Sequence, residues 1–175
     1  MTFTETPLQG AFVIGLEPRK DERGFFARTF CAREFAERDL EGEVVQCNLS
    51  WNERAGTLRG MHYQAAPASE AKLVRCVRGA IHDVVVDLRP GSATYRQSFA
   101  MELTMENRKS LYVPPSFAHG FQTLVDSTEV EYQMSEFHSP QFARGFRYDD
   151  PAFAIRWPQP VSVISAQDLH WPAFL

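Results

Sequence analysis

The sequence contains little cysteine, and its three cysteines are far apart. Cys31, Cys47 and Cys76 are odd in number and widely spaced, so they form neither a disulfide framework nor a zinc site. Chains that depend on disulfides belong to oxidising compartments. We therefore expect a reduced, cytoplasmic location.

Long apolar runs and an excess of positive charge are also missing. No stretch approaches 18 consecutive apolar residues, and the first residues lack a basic-then-apolar signal pattern. Acidic and basic side chains are interspersed, and the formal net charge of -4 leaves no electrostatic footprint for nucleic acid. Neither a membrane nor a nucleic acid is expected as a partner.

Short extended segments dominate the chain, whereas helix signals are few. Turn residues separate the later segments at intervals of about 8 to 12 residues, which favours a sandwich or barrel. The predicted strands are 11–16, 44–50, 58–64, 72–78, 81–88, 98–104, 110–114, 120–125 and 128–136. Helices are predicted only at 32–40 and, in short form, from Ser165. We expect one domain, 1–175, with an all-β double-sheet jelly roll and a few short helices.

The segment Leu58-Arg-Gly-Met-His-Tyr-Gln64 places His62 three residues after Arg59 on a strand-like run. A base beside a cation suits chemistry on an anionic substrate. Strict alternation along a strand would direct these two side chains to opposite faces. Both reach one cavity only if the strand bulges or twists, and Gly60 is the residue that permits this.

Two charged residues on predicted strands have two interpretations each. Lys72 shares a face with apolar neighbours, so it either extends to solvent from the strand end or meets an anion or a polarised oxygen inside the barrel. Asp83 shares a face with Ile81 and Val85 and is either an inward partner for a histidine or an edge residue.

A second histidine, His119, lies in a predicted turn that leads into a strand and raises the question of a metal site. A cupin metal site needs a His-x-His pair, a carboxylate and a later histidine, because a divalent ion takes three or four converging ligands. Gln64 stands where the second imidazole would be needed. Two histidines alone make a poor site, so we expect the pocket to bind no metal.

Tyr132 and Asp168 each have a structural and a catalytic interpretation. Tyr132 lies on the apolar face of its strand, where it either packs with a satisfied hydroxyl or points into the barrel as a proton donor. Asp168 completes a Ser-x-x-Asp helix-capping pattern with Ser165. The same carboxylate can also orient a histidine and support its imidazolium form.

Six motifs, in this order, resemble those of the dTDP-4-dehydrorhamnose 3,5-epimerase family, metal-free enzymes of deoxysugar biosynthesis. The similarity extends from about Glu17 to Asp168. The motifs are Asp21-Glu-Arg-Gly-Phe-Phe26, Gln46-Cys-Asn48, Leu58-Arg-Gly-Met-His-Tyr-Gln64, Lys72-Leu-Val-Arg75, Phe117-Ala-His-Gly-Phe121 and Ser165-Ala-Gln-Asp168. One such motif is weak, but six along a jelly-roll pattern are specific. The resemblance implies a cupin-like barrel that acts on a nucleotide-diphosphate sugar without a cofactor.

The resemblance also implies catalytic roles. His62 would remove a proton from the carbon beside the C4 ketone, and Asp168 would orient it. Tyr132 would deliver a proton from the opposite face and so invert the centre. Lys72 would stabilise the enolate oxygen, where negative charge develops.

The same resemblance implies substrate-binding roles for further residues. The diphosphate and nucleotide would be held by Arg59, Gln46 and Asn48, and the sugar pocket would be lined by His119 and Asp83. Family members form homodimers with exchanged N-terminal strands. In such a dimer Arg23 and Phe26 would reach the neighbouring subunit's site.

Two positions depart from the family's pattern. Arg28 stands where a glutamate is usual, and Phe137-His138 replaces two tyrosines before a Ser-Pro pair. Both regions are associated with nucleotide and sugar contacts, so His138 is included among the substrate-binding candidates. The departures leave open the nucleotide base and whether C3, C5 or both are inverted.

Two other classes of function also suit a jelly roll. A metal-dependent cupin dioxygenase or isomerase is disfavoured because the His-x-His motif is missing. A non-catalytic sugar-binding jelly roll is disfavoured because a base, an acid and an oxyanion donor are all present.

Overall fold

Strands are the predominant secondary structure of the computed structural model, which describes residues 1–174. In chain order the elements are β1 (Thr2–Glu5), β2 (Phe12–Gly15), β3 (Arg19–Asp21), β4 (Gly24–Phe26), α1 (Ala32–Ala36), β5 (Gln46–Asn52), β6 (Thr57–Gln64), β7 (Lys72–Arg78), β8 (Ala80–Asp87), β9 (Ser98–Thr104), β10 (Ser110–Val113), β11 (Phe117–Thr123), β12 (Thr128–Met134), β13 (Ala143–Gly145), β14 (Val163–Ile164) and α2 (Ala166–Leu169). None of the helices in residues 1–174 is long and apolar enough to cross a membrane.

Two sheets pack face to face. The first has the order β1-β2-β10-β7-β12-β5, and the second has the order β13-β6-β11-β8-β9, with β14 pairing in parallel with β6. Neighbouring strands within each of these orders are antiparallel. Strands β3 and β4 form a separate hairpin, which we call the arm (19–26). The predicted all-β jelly roll is confirmed.

Most predicted strands are present, and two of them, 72–78 and 98–104, have the predicted bounds. The helix predicted at 32–40 ends at Ala36, because Asp39 adopts a left-handed conformation with φ of 56°. The predicted strands omitted residues 19–21, which was wrong, because β3 of the arm lies there. The prediction that His119 lies in a turn was also wrong, because Ser116 (φ 63°) closes the turn and β11 begins at Phe117.

Apolar side chains fill one half of the space between the sheets. The first sheet contributes Val74 and Val130, and the second contributes Ile81, Val85 and Phe121, all at most 1% exposed. Their alternation along the strands follows the two-residue period that directs every second side chain inward. The other half, towards the start of β7 and the end of β12, is left open.

A buried aspartate, Asp87, closes the loop that follows β8. Its carboxylate accepts hydrogen bonds from the Arg89 backbone and guanidinium at 2.8–2.9 Å, from Ser92 Oγ at 2.6 Å and from Thr94 Oγ1 at 2.7 Å. Burial alone would raise the pKa of this carboxyl, but these donors outweigh it and lower the pKa to about 2. The ionised form therefore stabilises the fold.

We predict that Asp87→Asn lowers the free energy of unfolding by about 2 kcal/mol at pH 7, because the amide cannot accept this set of donors. Since the folded pKa lies below the ordinary value, the wild type's advantage is complete above about pH 4 and is lost as the pH falls towards 2. Urea denaturation of both proteins at several pH values measures this. Equal stability at pH 7 would contradict the prediction.

Candidate active site

The open half of the barrel is a cavity of about 850 Å³ between the two sheets. Strands β5, β7 and β12 of the first sheet form one wall, β6 and β11 of the second sheet form the opposite wall, and α2 closes one side. Its polar and ionisable lining includes Gln46, Asn48, Ser50, Arg59, His62, Glu70, Lys72, His119, Tyr132, His138 and Asp168.

Arg59 and His62 face the same cavity because β6 bulges between them. His62 pairs with His119 and Arg59 pairs with Phe121, so three steps along β6 match two along β11. Gly60 has φ of +132°, and a Cβ on it would lie 2.6 Å from the Cα of Gly120. The predicted irregularity at Gly60 is confirmed, and only glycine allows this backbone approach.

We predict that Gly60→Ala lowers the free energy of unfolding by about 2–4 kcal/mol, because the new methyl group meets backbone and the φ is strained for alanine. Gly91→Ala is the matched control, since a Cβ there has no atom of residues 1–174 within 4 Å. Thermal and urea denaturation compare the two variants. An equal effect of both substitutions would contradict the assignment of the bulge to Gly60.

His62 and Asp168 form a hydrogen-bonded pair at the cavity wall. His62 Nε2 lies 2.6 Å from Asp168 Oδ1, and the Gly60 amide donates to Asp168 Oδ2 at 3.2 Å. The Asp168 amide donates to Ser165 Oγ at 3.0 Å, so the predicted helix cap and the contact with a histidine coexist. Burial raises the pKa of Asp168, but hydrogen bonds from His62, Gly60 and Trp171 together with the His62 charge outweigh it and lower the pKa.

Lys72 points into the cavity and forms an ion pair with Glu70. Lys72 Nζ lies 2.9 Å from Glu70 Oε1, and both residues are buried. The solvent-facing interpretation of Lys72 is therefore wrong. Glu70 was not among the predicted site residues, although its position two residues before Lys72 in the sequence was a usable signal, because strand alternation would place both on one face.

His119 and Tyr132 lie close together in the cavity wall, and Asp83 lies behind His119. His119 Nε2 lies 2.7 Å from Asp83 Oδ1, so Asp83 is the inward partner of a histidine rather than an edge residue. Asp83 Oδ2 has no hydrogen-bond partner in the described chain. The rings of His119 and Tyr132 meet edge to face at 6.1 Å. Burial raises the pKa of Tyr132, and this effect exceeds the opposing effect of the Ser50 hydroxyl.

The polar residues of β5 line the wall beside Tyr132. Gln46, Asn48 and Ser50 alternate on the inner face, and Gln46 Nε2 donates to Asn48 Oδ1 at 3.1 Å. Gln46 Oε1 accepts the His138 amide at 3.2 Å, which attaches the 137–139 loop to the cavity wall. His138 itself lines the cavity, whereas Phe137 is exposed.

Gln64 has a structural role in this part of the site. Its amide nitrogen donates to the carbonyls of Ala68 and Phe137, and its Oε1 accepts the Ser139 amide at 2.6 Å. The position where a cupin metal site would need an imidazole therefore holds two loops together. Within residues 1–174, no group of three His, Cys, Asp or Glu side chains converges as a metal site would require.

Three residues singled out from the sequence lie away from the cavity of their own chain. Arg23 and Phe26 belong to the arm, where Arg23 forms an ion pair with Asp21 at 2.6 Å. Arg28 pairs with Glu34 at 2.7 Å beside a separate surface depression. The cavity of a single chain does not contain these three residues. All the other predicted site residues line it except Asp83, which lies directly behind His119.

This fold and its cavity match proteins of known class over nearly the whole chain. The family model for dTDP-4-dehydrorhamnose 3,5-epimerase matches residues 5–175. The chain is therefore a carbohydrate epimerase, which is an isomerase, and its fold is a cupin-like jelly roll. It belongs to the dTDP-4-dehydrorhamnose 3,5-epimerase family.

Individual relatives agree in sequence and in structure. The dTDP-4-dehydrorhamnose 3,5-epimerase of Methanothermobacter thermautotrophicus is 42% identical over 172 residues, which cover 97% of this chain and 92% of that protein. The Bacillus anthracis epimerase, crystallised with TDP and PPi bound, is 35% identical with a TM-score of 0.95 over 99% of both chains. A 3'-monoepimerase from Streptomyces bikiniensis, in complex with dTDP-quinovose, is 30% identical with a TM-score of 0.87 over 96% of this chain and 85% of its own.

Proposed function

We propose that the chain converts dTDP-4-dehydro-6-deoxyglucose to dTDP-4-dehydrorhamnose by proton transfer through an enolate, with His62 as base and Tyr132 as acid. The observation that carries this proposal is the placement of His62 and Tyr132 on opposite walls of one cavity. A sugar ring between the two walls would lose a proton on one face and gain a proton on the other. These two proton transfers together invert the configuration of the carbon.

The hydrogen bond to Asp168 supports the proposed role of His62 as the base. Nε2 lies 2.6 Å from Asp168 Oδ1, so this nitrogen carries the proton in the neutral ring and Nδ1 is the free base. Nδ1 removes the proton from the carbon next to the C4 ketone. The Asp168 carboxylate stabilises the imidazolium that results.

Lys72 supplies the positive charge that the enolate needs. An ammonium has three donors, and Glu70 takes one of those of Lys72 at 2.9 Å. The others are available to the C4 oxygen as negative charge develops there. Because the pair with Glu70 fixes Nζ in advance, the enolate requires little rearrangement of the site.

Tyr132 completes the inversion. Burial raises the pKa of its hydroxyl, so the group is neutral and carries a proton at physiological pH. Protonation of the enolate carbon from this wall gives the opposite configuration. Reprotonation by His62 would instead restore the starting material with exchange of the hydrogen.

The remaining lining residues suit the anionic part of the substrate. Arg59 is held by the Asn52 side chain, whose Oδ1 accepts Arg59 Nε at 2.7 Å, and its other guanidinium donors are available to a diphosphate. We propose that Gln46, Asn48 and His138 contact the nucleotide and that His119 with Asp83 contacts the sugar. TDP in the Bacillus anthracis structure supports a nucleotide-diphosphate sugar as the substrate class.

Solvent-deuterium incorporation tests this function. The purified protein is incubated with dTDP-4-dehydro-6-deoxyglucose in heavy water, and proton NMR and mass spectrometry locate the exchanged positions. Uptake at C3 and C5 supports the 3,5-epimerase, and uptake at C3 alone would indicate a monoepimerase like the Streptomyces bikiniensis relative. Loss of exchange by about 100-fold or more is expected for His62→Asn. No uptake by the wild type would contradict the proposal for this substrate.

For the acid, we predict that Tyr132→Phe slows inversion by about 100-fold while exchange by His62 continues. Tyr95→Phe is the matched control, because Tyr95 lies outside the cavity. The ratio of deuterium uptake to epimer formed measures the effect. Inversion at the wild-type rate in Tyr132→Phe would show that another group is the acid.

We further propose a homodimer in which the arm of each chain completes the partner's cavity. The arm pairs with neither sheet of its own chain in the described residues, and it exposes Phe25 and, at 77%, Phe26. Exposed aromatic side chains on a protruding hairpin favour burial against a second copy. Arg23 and Phe26 would then lie close to the substrate in the neighbouring chain.

Mixing two inactive variants tests this exchange. A His62→Asn chain has an intact arm, and an Arg23→Ala chain has an intact cavity wall. We predict that refolding the two variants together recovers activity in hybrid dimers. With statistical mixing of a symmetric dimer, up to about a quarter of all sites would combine an intact cavity with an intact arm from the partner. Absence of recovery, with hybrid dimers verified by mass, would show that the arm does not act in the partner's site.

The cysteines support a cytoplasmic location as a further proposal. Cys31, Cys47 and Cys76 are all free, and Cys76 is buried in the apolar core. A chain whose fold uses no disulfide suits a reducing compartment.

A further inference from the structure

Trp171 contacts the His62–Asp168 pair from the segment that follows α2. Its indole Nε1 donates to Asp168 Oδ1 at 3.3 Å, the same oxygen that lies 2.6 Å from His62 Nε2. The indole and imidazole rings meet edge to face, with centroids 6.5 Å apart. Trp171 also lines the cavity, so it touches both partners of the pair and the space where substrate would bind.

A glycine on the neighbouring strand makes room for this indole. Gly145 of β13 pairs in register with His62 of β6. A Cβ at Gly145 would lie 2.5 Å from Trp171 Cε2 and 2.6 Å from Nε1, closer than real contacts allow. The ring is therefore confined between Gly145, His62 and Asp168.

We propose that Trp171 is a positioning residue for the His62–Asp168 pair: its indole N–H holds Asp168 Oδ1, and its ring packs beside the imidazole and limits its movement. The proposal rests on the proposed role of His62 as base. Trp171 acts through Asp168 and His62 and takes no part in the proton transfer itself.

The shared carboxylate oxygen gives this role an electrostatic consequence. A second hydrogen-bond donor on Oδ1 partly compensates the negative charge of the carboxylate, so Asp168 stabilises an imidazolium less strongly. Removing the indole N–H would strengthen the hold of Asp168 on protonated His62. This effect would make the free base available only at higher pH.

Other ionisable groups face His62 across the cavity and set a constant background. They come from β6, from β7 and the loop before it, from β11 and β12, and from the loop and strand at 138–144: Arg59, Tyr63, Glu70, Lys72, His119, Tyr132, His138 and Arg144. None of them is altered by a substitution at Trp171. A change in pH dependence in a Trp171 variant is therefore attributable to the indole.

The kinetic test compares Trp171→Phe, which keeps a ring but loses the donor, with the wild type. We expect kcat to fall about 3- to 10-fold with KM within about twofold, which is the effect of one lost hydrogen bond. The acidic limb of the kcat/KM profile should move up by about half a pH unit. A raised KM with an unmoved limb would overturn the proposal, because it would make Trp171 a substrate contact.

A second measurement does not depend on activity. The ring protons of His62, assigned with the His62→Asn variant, are titrated by NMR in the ligand-free wild type, in Trp171→Phe and in Gly145→Ala. Both substitutions should raise the His62 midpoint by about half a pH unit, since each removes or displaces the donor. Trp51→Phe, which alters an exposed tryptophan outside the cavity, should leave it unchanged.

The two measurements separate the proposal from the proposed function. An unchanged His62 midpoint in Trp171→Phe would overturn the positioning role even if the enzyme epimerises as expected. A shifted midpoint would support the positioning role even if the substrate or the reaction proved to be different.

Discussion

The site depends on the backbone contact between Gly60 and Gly120. Neither glycine tolerates a side chain, because a Cβ on Gly60 would lie 2.6 Å from the Cα of Gly120 and a Cβ on Gly120 would lie 2.8 Å from the Arg59 carbonyl oxygen. This approach permits the bulge that turns both Arg59 and His62 towards the cavity. It also presents the Gly60 amide to Asp168 at 3.2 Å. One steric constraint therefore fixes the positions of Arg59, His62 and the Asp168 carboxylate behind His62.

Six ionisable groups in or directly behind the cavity wall are arranged in three pairs. His62 with Asp168, Lys72 with Glu70, and His119 with Asp83 each lie within 2.6–2.9 Å. Removing a charge from water is costly unless an opposite charge compensates it. Ionisable side chains in the wall of a cavity above an apolar core are therefore favoured when they are paired. The pairs also fix each side chain before substrate arrives. A site stabilises developing charge most effectively when its charged and dipolar groups are already in position.

Sequence alone predicted the parts of this structure that follow from local periodicity. Strand alternation predicted that Arg59 and His62 share one cavity only if the strand is irregular at Gly60, and that irregularity is present. It did not predict β13 or β14, which have three and two residues and form because β6 offers them an edge. The contact between Trp171 and Gly145 was also beyond local patterns, because it depends on how distant segments pack.

The two departures from the family's motifs have different structural consequences. Arg28 forms an ion pair with Glu34 outside the cavity of its own chain, so its charge is compensated locally. His138 lines the cavity, and its loop is attached to Gln46 on the wall proposed to contact the nucleotide. An imidazole is smaller than a phenol and can both donate and accept at ring nitrogens. Differences in base or sugar preference from the family's other members are therefore expected to arise at His138. The proton-transfer roles proposed for His62, Lys72 and Tyr132, which line the same cavity, do not depend on it.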